Sequence, residues 1–196
     1  MAEKQLQFTM RIIGGTSRGR QLDGPSQGTR PTAGRVKAAL FNILSERILG
    51  ARFLDLFAGT GAIGIEALSR GAGRVTFVES DSASVRIVKS NLRRSGYEHL
   101  AEVRSMTATR FLKQPLPEPY DIAFIDPPYH GNEAADVLPL LGRNAIIAAN
   151  GVVIIEHFHK APPPVQVDRL ILTKSYRYGD TFLSIYTPGG AAQDPL

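Results

Sequence analysis

Residues 120–129 read YDIAFIDPPY, an apolar run that ends in an aspartate, two prolines and a tyrosine. The carboxylate of Asp126 and the carbonyl of Pro127 could both accept hydrogen bonds from an exocyclic amine, which would draw its lone pair out of conjugation with the ring. Pro127 and Pro128 would hold that carbonyl in place, because proline fixes φ and removes a backbone donor. Tyr129 offers a flat ring on which a base can stack. The turn therefore predicts a site that holds a planar, amine-bearing base.

A second motif, DLFAGTGAIG at residues 55–64, contains the glycine spacing G-x-G-x-x-G between a predicted strand and a predicted helix. That context is typical of nucleotide cofactor sites, so both NAD and S-adenosylmethionine are candidates. The carboxylate of Asp55 favours the second, because it suits a cationic ammonium better than a pyrophosphate. Glu79, at the end of the next strand, would accept hydrogen bonds from ribose hydroxyls of either cofactor. We therefore expect S-adenosylmethionine.

These motifs need a parallel sheet to bring them together. Short β-rich runs alternate with helical patterns from residue 52 onward, which predicts successive βα units. Strands are predicted at 52–57, 74–79, 101–106, 120–126, 151–157, 169–179 and 181–187, and helices at 62–71, 82–96 and 133–151. The last two strands are joined by a short link and should form an antiparallel hairpin. The fold class is α/β, a Rossmann-like, doubly wound, seven-stranded and mostly parallel sheet.

Three segments are expected along the chain. Residues 1–30 form a basic extension that contains a β-hairpin. Residues 31–187 form the catalytic domain, which opens with an amphipathic helix over 31–49, with Thr32 as its N-cap. Residues 188–196 are expected to be a disordered tail.

Positive charge is concentrated at the start of the chain. The net charge is +5, and residues 1–52 contain nine basic against three acidic residues. Such a surface favours a polyanionic partner, because phosphate contacts from Lys and Arg supply most non-specific affinity for nucleic acids. The basic residues expected to contact RNA are Arg11, Arg18, Arg20, Arg30 and Arg35.

Composition narrows the function classes. The sequence has no cysteine, which excludes disulfides and thiolate-ligated metals. It also has no apolar run of about 20 residues and no apolar secretory stretch at its start, so we expect a cytoplasmic protein with no membrane partner. His157 and His159 lack a third ligand nearby in the sequence, so no metal site is expected.

The chain resembles the RsmD family of class I methyltransferases, which methylate the N2 amine of guanine 966 in 16S ribosomal RNA. Four blocks carry the resemblance in the same order, RIIGGTSRGRQL, TRPTAGRVKAALFNIL, LDLFAGTGAIGIEALSRGA and YRYGDTFLSIY, and AFIDPPY matches the amino-group methylase signature. The resemblance implies ribosomal RNA as the partner, either as naked RNA or within an assembling small subunit, and we expect the protein to be a monomer. The resemblance also implies an amine site at Asp126, Pro127, Pro128 and Tyr129.

The resemblance assigns the cofactor to Asp55, Glu79 and the loop formed by Phe57, Ala58, Gly59, Thr60 and Gly61. Many relatives have an aspartate after the third core strand to hold the adenine amine, whereas this chain has Met106 and Thr107 there. The adenine is therefore expected to contact apolar surface and backbone at these two residues.

Other functions remain open on the sequence alone. The same turn would serve an adenine-N6 methylase on DNA or RNA, although no separate domain for recognising a DNA sequence is visible. A glutamine methyltransferase would be expected to carry asparagine in place of Asp126. A non-catalytic RNA-binding or assembly module is disfavoured by the intact acidic and glycine residues. Tyr176 and Tyr178 are expected to pack within their hairpin.

Overall fold

A computed structural model describes residues 9–24, 34–128, 133–143, 145–160 and 162–189. Two short strands near its start, β1 (Thr9–Arg11) and β2 (Gln21–Asp23), form an antiparallel hairpin. The strands of the main sheet are β3 (Arg52–Leu56), β4 (Arg74–Glu79), β5 (Ala101–Ser105), β6 (Tyr120–Ile125), β7 (Ile147–Phe158), β8 (Gln166–Val167), β9 (Leu170–Tyr178) and β10 (Thr181–Pro188). Their order across the sheet is β5, β4, β3, β6, β7, β10, β9 and β8.

The doubly wound sheet predicted from the sequence is confirmed. Strands β3 to β7 run parallel, and β10 is antiparallel to both β7 and β9. All seven predicted strands are present, and the short β8 adds an eighth at the edge, where Gln166 and Val167 pair with the start of β9. Prolines at 162–164 precede β8 and oppose helix formation there, which leaves the segment extended.

Helices cover both faces of the sheet. Successive strand residues point to opposite faces, so a strand with apolar residues at neighbouring positions must be covered on both sides. Phe53 belongs to one hydrophobic core and its neighbour Leu54 to the other. The first core includes side chains from α1 (Gly34–Leu44), α2 (Ala62–Ser69) and α3 (Ser82–Ser95), and the second includes side chains from α4 (Ala108–Leu112) and α5 (Glu133–Arg143). Among these described helices, none is both long enough and apolar enough to cross a bilayer.

Several boundaries differ from those predicted. The helix predicted over 133–151 ends at Arg143, because Ile147 pairs with Tyr120 and so begins β7 four residues before the predicted strand. The helix α4 was not predicted. The disordered tail is predicted to begin at residue 188, but Pro188 pairs with Leu170 in the sheet. Thr32 and residues 190–196 lie outside the described residues, so the predictions made for them stay untested.

The N-terminal hairpin packs directly on the sheet domain. Ile12 and Leu22 are fully buried in the same core as α1, α2 and α3. The backbone N–H of Thr16, in the hairpin loop, donates to the carbonyl of Ser69 at the end of α2 over 2.7 Å. Tyr97 contributes a hydroxyl within 2.9 Å of the Thr16 hydroxyl. The hairpin therefore shares the hydrophobic core of the sheet.

Candidate active site

Three carboxylates meet at the carboxyl edge of the central strands. Asp55 lies near the end of β3, Glu79 is the last residue of β4, and Asp126 follows β6 directly. Since β4, β3 and β6 are adjacent and parallel, their carboxyl ends lie side by side. This is where ligands bind in open α/β sheets. The structure thus brings together the three acids that the sequence singled out.

Asp55 is only 2% exposed, and its carboxylate accepts a 2.9 Å hydrogen bond from the backbone N–H of Gly64. Burial raises the pKa of Asp55 to about 8, against the lowering effect of that hydrogen bond. The negative charges of Asp126 and Glu79 raise this pKa further. Asp55 is therefore mostly protonated at neutral pH, and a cation placed beside it would favour its ionised form.

The loop after β3 is held in an unusual backbone conformation. Phe57 has a φ of 64°, a region that side chains rarely adopt, and Gly59 and Gly61 follow with φ of 54° and 77°. Gly61 directly precedes the first turn of α2. Gly64 has a different role, because a Cβ there would lie 2.3 Å from the ring of Phe77. Of the three glycines in the motif, Gly59 and Gly61 thus allow the turns of the loop, and Gly64 allows the close contact between α2 and β4.

Glu79 fixes the glycine loop to the next strand. Its Oε2 accepts a 2.8 Å hydrogen bond from the backbone N–H of Gly59, and its Oε1 accepts one of the same length from Asp81. Ala58 donates its N–H to the carbonyl of Val78, which ties the loop to β4 a second time. Each carboxylate oxygen has a further lone pair, so Glu79 can still accept hydroxyl donors.

Met106 and Thr107 follow β5 and lead into α4. Met106 is half-buried against the second core, and its N–H donates to the carbonyl of Glu79 at 3.0 Å. The Thr107 hydroxyl accepts a 3.3 Å hydrogen bond from the N–H of Arg110, which makes Thr107 the N-cap of α4. These two residues therefore form a short wall beside Glu79.

The amine motif lies where it was expected, as far as the structure describes it. Asp126 and Pro127 are half-buried, and Pro128 is exposed. The effect of Asp126 on the pKa of Asp55 shows that the two carboxylates are electrostatically coupled. Tyr129 lies outside the described residues, so its ring stays a prediction.

The basic residues of the N-terminal segment lie at different parts of the fold. Arg18 lies in the hairpin loop, and Arg20 donates from its guanidinium to the carbonyl of Arg94 at 2.9 Å, near the end of α3. Helices α2 and α3 run away from the carboxylate edge, so the hairpin loop with Arg18 and Arg20 lies at the opposite edge of the sheet, and their contact with RNA stays a prediction. Arg35 is exposed in the first turn of α1, Arg11 is exposed in β1, and Arg30 is outside the described residues.

Two buried polar side chains were missed from the sequence. Asn91 donates to the carbonyls of Thr60 and Asp23, at 3.0 and 3.1 Å, and accepts from the N–H of Asp23 at 2.7 Å. It thereby joins the glycine loop to the hairpin. Glu66 is fully buried and forms ion pairs with Lys37 and Arg70.

Of these two residues, Glu66 could have been predicted from the sequence. Glu66 is the acid in an otherwise apolar helical run, and a buried acid needs partners. Asn91 has no comparable signal, because it sits in a polar part of α3.

No group of three His, Asp or Glu side chains within the described ranges is arranged to hold a metal ion. His157, which is half-buried, lies 2.8 Å from the hydroxyl of Ser184 through its Nε2. Its ring also stacks on that of Phe182. Burial lowers the pKa of His157, so this imidazole is neutral at pH 7.

Comparison with known proteins agrees with this geometry. A family model described as "Conserved hypothetical protein 95" matches residues 10–187. The "Ribosomal RNA small subunit methyltransferase D" of Haemophilus influenzae is 39% identical over 90% of this chain and 93% of its own length. A solved Escherichia coli structure that carries the provisional name methyltransferase yhhF superposes with a TM-score of 0.83 and 33% identity, over 93% of this chain and 99% of that one.

More distant structures share the fold alone. A Pyrococcus abyssi tRNA (uracil-54, C5)-methyltransferase, solved with S-adenosyl-L-homocysteine, has a TM-score of 0.66 at 15% identity, over 92% of this chain and 44% of that one. The match of the family model over most of the chain, together with the Haemophilus relative, decides the family. This chain belongs to the RsmD family, whose model bears the description "Conserved hypothetical protein 95".

Proposed function

We propose that this protein transfers a methyl group from S-adenosylmethionine to the N2 amine of a guanine in 16S ribosomal RNA. The observation that carries the proposal is the meeting of Asp55, Glu79 and Asp126 beside a glycine loop at one sheet edge. Family membership supports the reaction class, and the name of the Haemophilus relative supports ribosomal RNA as the substrate.

The cofactor is assigned to the edge formed by β3, β4 and β5. When bound, S-adenosylmethionine supplies an electrophilic methyl group on a sulfonium. Asp55 pairs with the ammonium of its methionine part, and Glu79 accepts hydrogen bonds from its ribose. Phe57, Ala58, Gly59, Thr60 and Gly61 wrap around it, and Met106 and Thr107 contact its adenine.

The acceptor amine is assigned to the turn after β6. The Asp126 carboxylate and the Pro127 carbonyl accept hydrogen bonds from its two N–H groups, which directs the nitrogen lone pair at the methyl group. Pro128 holds the turn rigid, and Tyr129 stacks on the guanine. In the proposed single displacement, the N–CH3 bond would form as the S–CH3 bond breaks, S-adenosylhomocysteine would leave, and the methylated amine would lose a proton to solvent. Positioning would therefore supply most of the acceleration.

The basic residues position the RNA. Phosphate contacts fix register and orientation but carry little sequence information, so the arginines should not select the base. The assembling small subunit as substrate, the monomeric state and the cytoplasmic location remain predictions from the sequence and the resemblance.

A labelled-methyl assay tests the proposal. The purified protein is incubated with labelled S-adenosylmethionine and with ribosomal RNA and small subunits from a strain that lacks it, and the RNA is then digested to nucleosides. We expect N2-methylguanosine. N6-methyladenosine would instead support the adenine methylase, and no transfer despite cofactor binding would support the non-catalytic module.

A further inference from the structure

A groove of about 870 Å³ separates α1 from β9 and contains none of the residues assigned to the cofactor or the amine. Two rings, Tyr176 and Tyr178, lie along one side, and one face of α1 forms the other. Arg35 lines the groove from the first turn of α1, and Arg47 lines it beyond the end of that helix. The groove is therefore bounded by flat aromatic surface and by guanidinium groups.

One end of the groove lies at the carboxylate edge. Tyr178 pairs with Thr181, which in turn pairs with Phe158, the last residue of β7. At the other end, Arg47 donates to the carbonyl of Asn150, in the first part of β7. Helix α1 has 11 residues and spans about 16 Å at 1.5 Å per residue. The groove thus leads away from the proposed active site along this helix.

The two tyrosines alternate with Arg177 along β9, so their rings lie on the same face of the sheet. Both are half-buried, with part of each ring packed against the core and part lining the groove. The expectation that they pack within their hairpin is therefore incomplete. Ala38, Ala39 and Ile43 add apolar wall opposite them, and Glu46 is an acidic residue near the far end.

This combination fits unpaired nucleotides. Proteins that bind single strands combine basic groups, which follow the backbone, with aromatic rings on which successive bases stack. A paired duplex would keep its bases stacked on each other and so could not use the two rings. Arg35 is exposed and lines the same groove as the two rings, so its guanidinium is available to a phosphate of a strand bound there.

We propose that this groove binds single-stranded RNA next to the methylated nucleotide, with Tyr176 and Tyr178 stacking on bases and Arg35 contacting the backbone. The inference rests on the proposed function, since it assigns the flank of the same substrate.

Stacking and hydroxyl chemistry can be separated by paired substitutions. Tyr178→Leu and Tyr176→Leu remove the ring, and Tyr178→Phe and Tyr176→Phe keep it. Binding is measured by fluorescence anisotropy with a labelled single-stranded RNA of mixed sequence and with a blunt duplex. We expect each Leu variant to raise the Kd for the single strand about 5- to 150-fold, because stacking contributes about that much per base. Each Phe variant should stay within about twofold of wild type, and duplex binding should not change.

Phe182→Leu is the matched control, because Phe182 lies near the same edge but on the other face of the sheet, against His157. Its single-strand affinity should remain that of wild type, and all variants should retain cofactor affinity. Arg35→Ala removes only an exposed side chain and gives an independent test if a Leu variant fails to fold. It should lower the slope of log Kd against log salt by about 0.7.

The results of these binding and methyl-transfer experiments distinguish a failure of this inference from a failure of the proposed function. A wild-type protein that binds the cofactor but transfers no methyl to RNA would contradict the proposed function. If wild type methylates RNA while the folded Leu variants bind single strands as the Phe variants do, the groove inference is wrong and another partner, such as a protein, occupies it. An unchanged salt slope in Arg35→Ala would also overturn it.

Discussion

The buried carboxylate of Asp55 accepts a hydrogen bond of 2.9 Å from the backbone N–H of Gly64, within the first turn of α2. This contact ties the end of β3 to the helix that follows the glycine loop. It satisfies one carboxylate oxygen, and burial nevertheless raises the pKa of Asp55 to about 8. The protonation state of Asp55 should therefore depend on whether a cation is bound.

The first prediction is that cofactor binding releases close to one proton at pH 7. Free Asp55 is mostly protonated below its pKa of about 8, and the cofactor ammonium should lower that pKa. Calorimetry in buffers of different ionisation enthalpy measures the number of protons. Asp55→Asn should bind more weakly and release none from this position, and an identical release in wild type and variant would remove Asp55 from the ammonium site.

The second prediction concerns stability without cofactor. The folded pKa of Asp55 lies above its unfolded value of 3.8, so its contribution to stability is fully present below about pH 4 and is lost as the pH rises toward 8. Asp55→Asn should therefore become more stable relative to wild type between pH 5 and pH 7. The upper limit of this change is about 1.4 kcal/mol per pH unit. Denaturant unfolding at several pH values measures it, and a pH-independent difference would contradict the raised pKa.

The third prediction is that Asp126→Ala nearly abolishes methyl transfer and leaves cofactor binding largely intact. The carboxylate is assigned to the incoming amine rather than to the cofactor. Single-turnover rates and cofactor Kd values, measured on the same preparation, separate the two effects. Turnover within tenfold of wild type would leave less than about 1.4 kcal/mol of barrier lowering to Asp126, and the assigned activation would be wrong.

The fourth prediction is that Arg18→Ala with Arg20→Ala weakens RNA binding and lowers its salt dependence without moving the methylated nucleotide. Each lost phosphate contact should reduce the log–log salt slope by about 0.7 to 0.9. The control is Arg110→Ala with Lys113→Ala, which removes two exposed charges, one in α4 and one at its C-cap, on the opposite face. Equal slopes for the two double variants would show that the hairpin is not a specific phosphate clamp.

The fifth prediction is that Glu66→Ala costs about 3–5 kcal/mol of unfolding free energy, because it leaves the buried ammonium of Lys37 without its carboxylate. The variant also removes the acceptor for the backbone N–H of Ile13, at 2.9 Å. Urea unfolding measures the loss. Glu98→Ala, in an exposed turn, is the control and should change stability by less than about 0.5 kcal/mol. If Glu66→Ala lost no more stability than the Glu98→Ala control, the ion pairs of Glu66 would contribute little.

The parts of the molecule that sequence predicted well are those with local signals. The glycine loop has a fixed spacing, and Asp55, Glu79 and Asp126 each mark the end of a strand, so the topology of a parallel sheet brings them together. The segment 133–151 was misjudged because its apolar residues suit a helix and a buried strand equally well. Only pairing with Tyr120 decides that β7 begins at Ile147.

Long-range polar contacts could not be predicted from the sequence. The partners of Asn91 are 31 and 68 positions away, and nothing near it in the chain indicates either one. The position of Arg18 and Arg20 depends in the same way on how the hairpin packs against the ends of α2 and α3. The positive charge of the hairpin could be predicted from composition, but the distance of its arginines from the active site could not.

The contact between Asn91 and Asp23 also sets an order of events during synthesis. The hairpin leaves the ribosome before α3, and the side chain that satisfies both the N–H and the carbonyl of Asp23 is made 68 residues after Asp23 itself. At about 5–20 residues per second, that interval lasts several seconds. During this time the nascent hairpin lacks this docking contact, and the glycine loop lacks the amide that later holds Thr60, so both become fixed only once α3 has emerged.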